Sequence, residues 1–367
     1  MIMEKKVKVL FVTNHFRFSN GVASVLRSMI ENLDPKRFDI HLLAIYEFNK
    51  EFAAPILNKV TVVKGLNFYF RGLDKIVNLL PLKWLYRFFV KEKYDLEVAY
   101  QFGMPTRIIS VSPNPNKICW MHTYDAQMIQ REFYKKFNEI VSVSRVGRDK
   151  LLKEGFLPSQ CDYCYNIIDE NVLVDKAKEE INLVQTHKYS VITVSRLMPD
   201  KACMRLLKCI LALHNLGVDA EFWIIGDGIE FDRMHRFVTE NNMQEYAKLL
   251  GLQKNPYKFM AKADLYFCGS YREGYSTACQ ESALLGIPVV STCVDGAQEL
   301  VDDLGCGCVI ENSEDGIINS LCEILKSKTQ IADWKQMAFK NKSVFYKASR
   351  IQHIQSKLLM NAIGKNE

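Results

Sequence analysis

The 367-residue chain contains no run of about 18 apolar residues, so nothing in it reads as a membrane-spanning helix. It has no internal repeat and no low-complexity tract. With 48% hydrophobic and 25% charged residues it is not a disordered, collagen-like or coiled-coil sequence. The first apolar run, Val7 to Val12, is broken by Lys8 and ends at Thr13-Asn14-His15, too short and too polar for a signal peptide. It reads as a first β-strand. No Gly-x-Gly-x-x-Gly follows it, which argues against an NAD-dependent oxidoreductase. Eleven cysteines are present, but they sit in apolar runs such as those holding Cys119, Cys268 and Cys279. Cys161-x-x-Cys164 and Cys306-x-Cys308 each lack a second pair or a nearby histidine, so neither offers the four ligands of a structural zinc site. Reduced thiols in a cytosolic protein are the expectation. The net charge of +6 is too mild to suggest a nucleic-acid partner.

What is present is alternation. Apolar runs alternate with helical patterns, the signature of parallel α/β units. Candidate strands are Val7–Thr13, Ile40–Ile45, Val60–Val63, Leu96–Ala99, Lys117–Trp120 and Ile140–Val143, then Val191–Ser195, Glu221–Ile225, Leu265–Cys268 and Pro288–Ser291. Between the first two, Val22, Val25, Leu26, Met29, Ile30 and Leu33 recur at helical spacing. The length suits two domains. They are expected over 1–180 and 181–340, with a C-terminal helical piece over 341–367 packing back on the first. Parallel sheets place ligands outside the carboxyl ends of their strands, so the chemistry is expected on the loops that follow them.

The most informative segment runs from Asp264 to Glu281 and on to Gly286 and Pro288. It reads as strand, tight loop, short helix, strand. Thr277 and Gln280 have capping-box spacing, which starts the helix there. Gly274 allows close backbone approach to a ligand, and a helix start offers free N–H groups and a positive dipole to phosphate. Glu281 lies a turn into the helix with its side chain leaning back toward the loop. A carboxylate accepts hydrogen bonds from vicinal hydroxyls such as those of a ribose, and Glu273 in the loop offers the same to a hexose. Most glutamates are merely solvated, and either one alone reads that way. Two acids beside a phosphate site make sense together if the ligand has both phosphate and hydroxyls, as a nucleotide sugar does.

A second cluster, Ser195-Arg196 with Lys201 five residues on, puts two cations at the end of a strand, where they hold a diphosphate and neutralise charge growing on it. A lysine alone here reads as a loop cation. Gly226-Asp227-Gly228 follows another strand and is a turn first, a ligand loop second.

Glu273-x7-Glu281, Arg196 with Lys201, Gly226-Asp-Gly228 and the Ser19-Asn20-Gly21-Val22 turn together resemble the retaining glycosyltransferases of family 4, over nearly the whole chain. The resemblance implies a GT-B fold of two Rossmann-like domains facing across a cleft. It implies that Glu281 binds the nucleotide ribose, Glu273 the donor sugar, and Arg196 and Lys201 the diphosphate. The backbone at Gly274, Tyr275, Ser276 and Thr277 would line the donor site, Gly21 and Gly226 would contribute loops, and His122 matches the active-site histidine. Three positions depart from the pattern: Asn20 precedes Gly21 in place of a second glycine, Ala202 follows Lys201 where glycine is common, and Ser276 stands where many members have glycine or proline. No Asp-x-Asp occurs, in keeping with transfer that needs no metal or other cofactor. The expected partners are a nucleotide sugar, UDP ahead of GDP, and a glycan or lipid-linked acceptor of surface polysaccharide synthesis. A GT-B nucleotide-sugar epimerase and a non-catalytic nucleotide-sugar-binding protein are the rival readings.

Residues 64–93 carry seven Lys+Arg, two acids and seven aromatics, including Phe68-Tyr69-Phe70-Arg71 and Lys83-Trp84. Such a segment suits an anionic membrane surface and a peripheral position on the cytoplasmic side. It suits equally a buried amphipathic helix with a solvated rim.

Overall fold

The structure, a computed structural model, describes residues 5–18, 21–125 and 129–363. The chain forms two compact units, Met1–Ile167 with Ala348–Glu367, and Ile168–Lys347. The first contains β1 (Val7–Phe16), β2 (Phe38–Phe48), β3 (Val60–Val63), β4 (Leu96–Ala99), β5 (Lys117–Met121), β6 (Glu139–Ser142) and β7 (Cys161–Tyr163). All its strand pairs are parallel, in the order β3-β2-β1-β4-β5-β6-β7. The second contains β8 (Tyr189–Val194), β9 (Ala220–Ile225), β10 (Ala247–Gly251), β11 (Leu265–Cys268), β12 (Val289–Thr292) and β13 (Cys308–Ile310), again all parallel, in the order β10-β9-β8-β11-β12-β13. Strand order reverses between β1 and β4 in one sheet and between β8 and β11 in the other. Those reversals are where loops splay apart and ligands bind in this architecture.

Each sheet is buried on both faces, which explains the near-continuous apolar runs. In the first unit Leu10, Val12, Leu43 and Ile45 pack with helical Ile108 and Leu151. In the second, Val191, Phe222, Ile224 and Phe267 pack with Leu207, Ile210 and Leu321. The helix expected from Val22 runs Gly21–Asn32 and buries Val25, Leu26, Met29 and Ile30. Ser19 and Asn20 of the adjoining turn lie outside the described residues. All eleven cysteines are free thiols, and among the described residues no helix is long and apolar enough to cross a membrane.

The units divide at Ile167/Ile168, ahead of the expected 180. The reason is local: helix Glu170–Ala177 packs on Tyr257–Met260 of the second unit, where Asn255 donates to the Lys176 carbonyl at 2.8 Å. The expected change at 341 falls later as well, since the second unit runs to Lys347. Three strands, β7, β10 and β13, were not legible as strands in the sequence.

From Ala348 the last helix, Lys347–Ile363, belongs to the first unit. Polar contacts hold it there. Lys357 Nζ bonds Glu139 at 2.8 Å and also reaches Asp162, and Asn361 donates to Glu139 at 2.7 Å. Asn116 donates to the Ala362 carbonyl and Arg350 to that of Asn166. Glu139 and Lys357 are 6% and 11% exposed, so neither charge has water as an alternative partner. Lys357→Ala should therefore lower unfolding stability by about 3–5 kcal/mol through an uncompensated carboxylate. Denaturant titration checks this, and a loss under about 1 kcal/mol would contradict the buried Glu139–Lys357 pair.

Candidate active site

In the second unit the loop after β8 is fixed by the loop after β9. The Ser195 N–H donates to the Ile225 carbonyl at 3.1 Å, Leu197 N–H to Asp227 at 2.8 Å, and Glu230 N–H to Leu197 at 3.0 Å. A side chain could not fit between these loops: a Cβ on Gly226 would stand 1.9 Å from the Ser195 carbonyl oxygen, and one on Gly228 2.3 Å from that of Leu197. Gly226 therefore packs the two loops together and sets the backbone that carries Arg196. The Arg196 side chain is exposed, with no ion pair or side-chain hydrogen bond among the described residues.

Lys201 ends a single 3-10 turn, Pro199–Lys201, and Ala202 closes it at φ 54°, ψ 35°. That left-handed conformation favours glycine, the residue the resemblance leads one to expect after the lysine. Lys201 Nζ reaches Glu273 Oε1 at 2.8 Å, the side chains being 13% and 16% exposed. Asp200 lies 3.7 Å from the same ammonium. Ser270 Oγ donates to the same Glu273 oxygen at 2.7 Å.

Backbone carbonyls of the β11 loop are held from several sides. Thr292 donates to the Ser270 carbonyl at 2.8 Å, and the Tyr271 N–H donates to that of Asp200 at 3.0 Å. Arg205, buried in helix Cys203–Asn215, donates to the Gly269 carbonyl at 2.7 Å and the Asn312 carbonyl at 3.2 Å, with its guanidinium 4.2 Å from the Tyr271 ring centre. Lys201, Glu273 and Ser276 are brought together around one small cavity with Ser195, Tyr266 and Ser270. Arg196 and Glu281 are not part of its wall.

The helix after this loop runs Thr277–Leu284, and Ser276 caps it by accepting from the Cys279 N–H at 3.3 Å. The cap thus falls one residue before the Thr277/Gln280 pairing that the spacing suggests. Gln280 is fully buried and donates to the carbonyls of Tyr275 and Ser276. Ser276, where the resemblance leads one to expect glycine or proline, supplies a side-chain acceptor to the helix start that neither of those residues has. Tyr275 is buried and packs tightly on Gly296, where a Cβ would come within 2.4 Å of its ring. Tyr275 can therefore offer a ligand only its backbone. Gly274 is buried, and Thr277 is the first, half-buried residue of the helix.

Glu281 is half-buried and accepts from Tyr257 Oη at 3.0 Å. Burial pushes its carboxyl up to about 7, against the pull of the tyrosine and of Lys176. Sequence spacing does not reveal Tyr257 or Arg205. The first is 24 residues from its partner, and the second sits among apolar helical positions where a cation is unexpected.

In the first unit His122 follows β5. Its Nε2 lies 3.0 Å from the Tyr100 carbonyl oxygen, which only accepts, so Nε2 carries the proton and Nδ1 keeps its lone pair. Burial pulls the imidazole down to about 4, so it is neutral at pH 7. Gly21 is exposed, with open space where a Cβ would stand. A cavity of about 400 Å³ opens beyond β1, β2 and β4, with His15, Tyr46, Tyr69, Gln101 and Arg107 among its walls. Of these walls, Asn14 and His15 lie within β1, beyond the Thr13 end expected from the sequence. Among the described residues, no group of three or more His, Cys, Asp or Glu side chains could hold a metal ion.

Residues 174–341 match the family model described as glycosyl transferases group 1. The chain is 27% identical over 345 residues to a Campylobacter jejuni N-acetylgalactosamine-N,N'-diacetylbacillosaminyl-diphospho-undecaprenol 4-alpha-N-acetylgalactosaminyltransferase, covering 89% of this chain and 91% of that protein. It is 25% identical to an Escherichia coli UDP-Gal:alpha-D-GlcNAc-diphosphoundecaprenol alpha-1,3-galactosyltransferase, covering 84% and 86%. Among solved structures, Anabaena HepE in complex with UDP and glucose superposes with a TM-score of 0.74 at 18% identity, covering 96% of this chain and 99% of that one. The fold is GT-B, and the chain is a glycosyltransferase.

Because the neutral form of Glu281 is favoured in the fold, its ionisation costs stability progressively from the ordinary 4.5 up to about 7. Glu281→Gln should leave stability unchanged at pH 4 and raise it by roughly 1–3 kcal/mol at pH 8. Thermal unfolding at the two pH values checks this, and equal effects at both would contradict the burial.

Proposed function

We propose that this glycosyltransferase moves a sugar from a nucleoside diphosphate sugar, a uridine diphosphate sugar ahead of a guanosine one, to a hydroxyl of a glycan or lipid-linked acceptor in surface polysaccharide synthesis. Transfer retains the configuration of the anomeric carbon, needs no metal, and takes place on the cytoplasmic side. One observation carries the reading: the Lys201–Glu273 pair, 2.8 Å apart beside a helix start, with Arg196 uncommitted on the neighbouring loop. A cation, a carboxylate and free backbone N–H groups within one loop cluster answer the three chemistries of a nucleotide sugar. The C. jejuni and E. coli relatives, named for undecaprenol-linked acceptors, support the acceptor class, and the UDP in HepE supports the donor base.

In this reading Lys201, Arg196 and the helix dipole stabilise the charge that collects on the leaving diphosphate, the part a metal plays elsewhere. Glu273 accepts from donor-sugar hydroxyls and Glu281 from the ribose. The backbone from Gly274 to Thr277 lines the donor, with Gly226 holding the Arg196 loop in place. His122, neutral and with Nδ1 free, accepts from a sugar hydroxyl, and Gly21 opens the helix on the acceptor side. The bond from the anomeric carbon to the diphosphate oxygen breaks and its electron pair leaves with the diphosphate. The acceptor oxygen bonds to the same face of that carbon, and its proton passes to the diphosphate. Protein groups act by position and charge rather than by covalent attachment.

The experiment is transfer from a panel of nucleotide sugars to a diphosphoundecaprenol-linked glycan, with the product's anomeric configuration read by NMR. A retained linkage formed equally with and without chelator is expected. Lys201→Ala should lower kcat about 10²–10³-fold with little change in KM. An inverted product, strict magnesium dependence, or donor epimerised with no acceptor modified would each overturn the corresponding part.

A further inference from the structure

Residues 64–93 contain two short helices, Leu73–Val77 and Leu82–Phe89. Each has an inward face: Leu73, Val77, Leu85 and Phe89 are buried in the first unit's core. The opposite faces are not covered. Phe68, Phe70, Ile76, Leu79, Trp84 and Phe88 are 47–86% exposed. With Tyr69 and Leu80 they make eight of the 26 large apolar side chains exposed among the described residues, within 21 residues of chain. That density separates a patch from the scattered exposure of any protein surface. Trp84 and Phe88 stack at 5.3 Å in the open, and Lys91 Nζ lies 5.8 Å from the Phe88 ring centre.

The cations around the patch pair with no carboxylate, although Lys91 Nζ donates to the Arg87 carbonyl at 2.6 Å. Lys64, Arg71, Lys75, Lys83, Arg87, Lys91 and Lys93 are all exposed, and none forms an ion pair among the described residues. The two acids of the segment are occupied elsewhere: Glu92 pairs with Lys8, and Asp74 lines the cavity of about 400 Å³. An amphipathic helix with its rim in water explains Leu85 and Phe89. It does not explain an apolar outer face fringed by seven unpaired cations.

We infer that this face docks on an anionic lipid bilayer, its aromatics in the headgroup layer and its cations on lipid phosphates. Charge decides the occupant, since a second copy of the chain would set seven cations against seven. The same segment also builds one wall of the 400 Å³ cavity, through Tyr69, Asp74 and Asn78. An acceptor carried on a lipid would then meet the cavity with its polar end while its tail stays in the membrane. This deepens the lipid-linked-acceptor reading and rests on it for its purpose; the docking itself rests on the surface.

The test is sedimentation of the full chain with phosphatidylcholine vesicles and with vesicles of phosphatidylcholine and phosphatidylglycerol at 70:30. The expected result is binding to the anionic vesicles only, reversed by about 0.5 M salt as charges are screened. Lys83→Ala/Arg87→Ala/Lys91→Ala should lower partitioning about 100-fold, and Trp84→Ser/Phe88→Ser should also lower it. Affinity for the nucleotide sugar should be unchanged in both, since none of these side chains lines either cavity. Binding indifferent to salt and lipid charge, no binding, or a dimer that Trp84→Ser/Phe88→Ser dissociates would overturn the inference. Transfer to a lipid-free acceptor without vesicle binding would sink the surface and spare the function, and the converse result would sink the function alone.

Discussion

A lysine ammonium and a glutamate carboxylate held 2.8 Å apart, with little water near either, set the form of the second unit's loops. Taking two such ions out of water costs several kcal/mol each, and their attraction returns that only when every remaining donor and acceptor is satisfied. The pair is thus a poor device for stability, and the loops that present it are held by other means. Arg205, Thr292 and the Tyr271 N–H take up backbone carbonyls of Gly269, Ser270 and Asp200. Ser270 adds a second donor to Glu273. A costly pair on a rigid frame suits a ligand that can exchange its own charges for the internal ones.

The cations of the molecule fall into two kinds. Lys357 is buried and wholly paired, with Glu139 and Asp162, and ties a helix to its sheet. Arg196 and the seven cations between residues 64 and 93 are exposed and form no ion pair among the described residues. The first kind maintains the fold, and the second is free for phosphate on a donor or on a lipid. Two titratable groups proposed for sugar contact are tuned by burial in opposite senses: Glu281 is raised to about 7 and His122 lowered to about 4. Near neutral pH both therefore carry less charge than their solvated counterparts.

Much of this was legible in the sequence because parallel strands buried on both faces leave long apolar runs, as in Val7–Val12 and Leu265–Cys268. β7 and β13, Cys-Asp-Tyr and Cys-Val-Ile, are too short to show any period, and β10 interrupts its apolar pattern at Lys248. The helix at Thr277 was placed one residue late because Ser276 and Thr277 are equally good caps by type, and only the backbone decides. The Glu-x7-Glu spacing and the cations after β8 were visible as side chains, but their pairing was not. A reading that gave Lys201 to phosphate and Glu273 to sugar did not foresee that each would hold the other in the free chain. The cavity of the first unit draws on separate stretches of chain and leaves no spacing to read.

The claim that the Lys201–Glu273 pair serves the donor and not the fold is tested most directly by a double-mutant cycle with Lys201→Met and Glu273→Met, measuring unfolding stability and nucleotide-sugar affinity on the same four proteins. The account predicts that the double variant is at least as stable as the native chain, while its donor affinity falls more than tenfold. A double variant that loses several kcal/mol of stability and binds donor as before would contradict it.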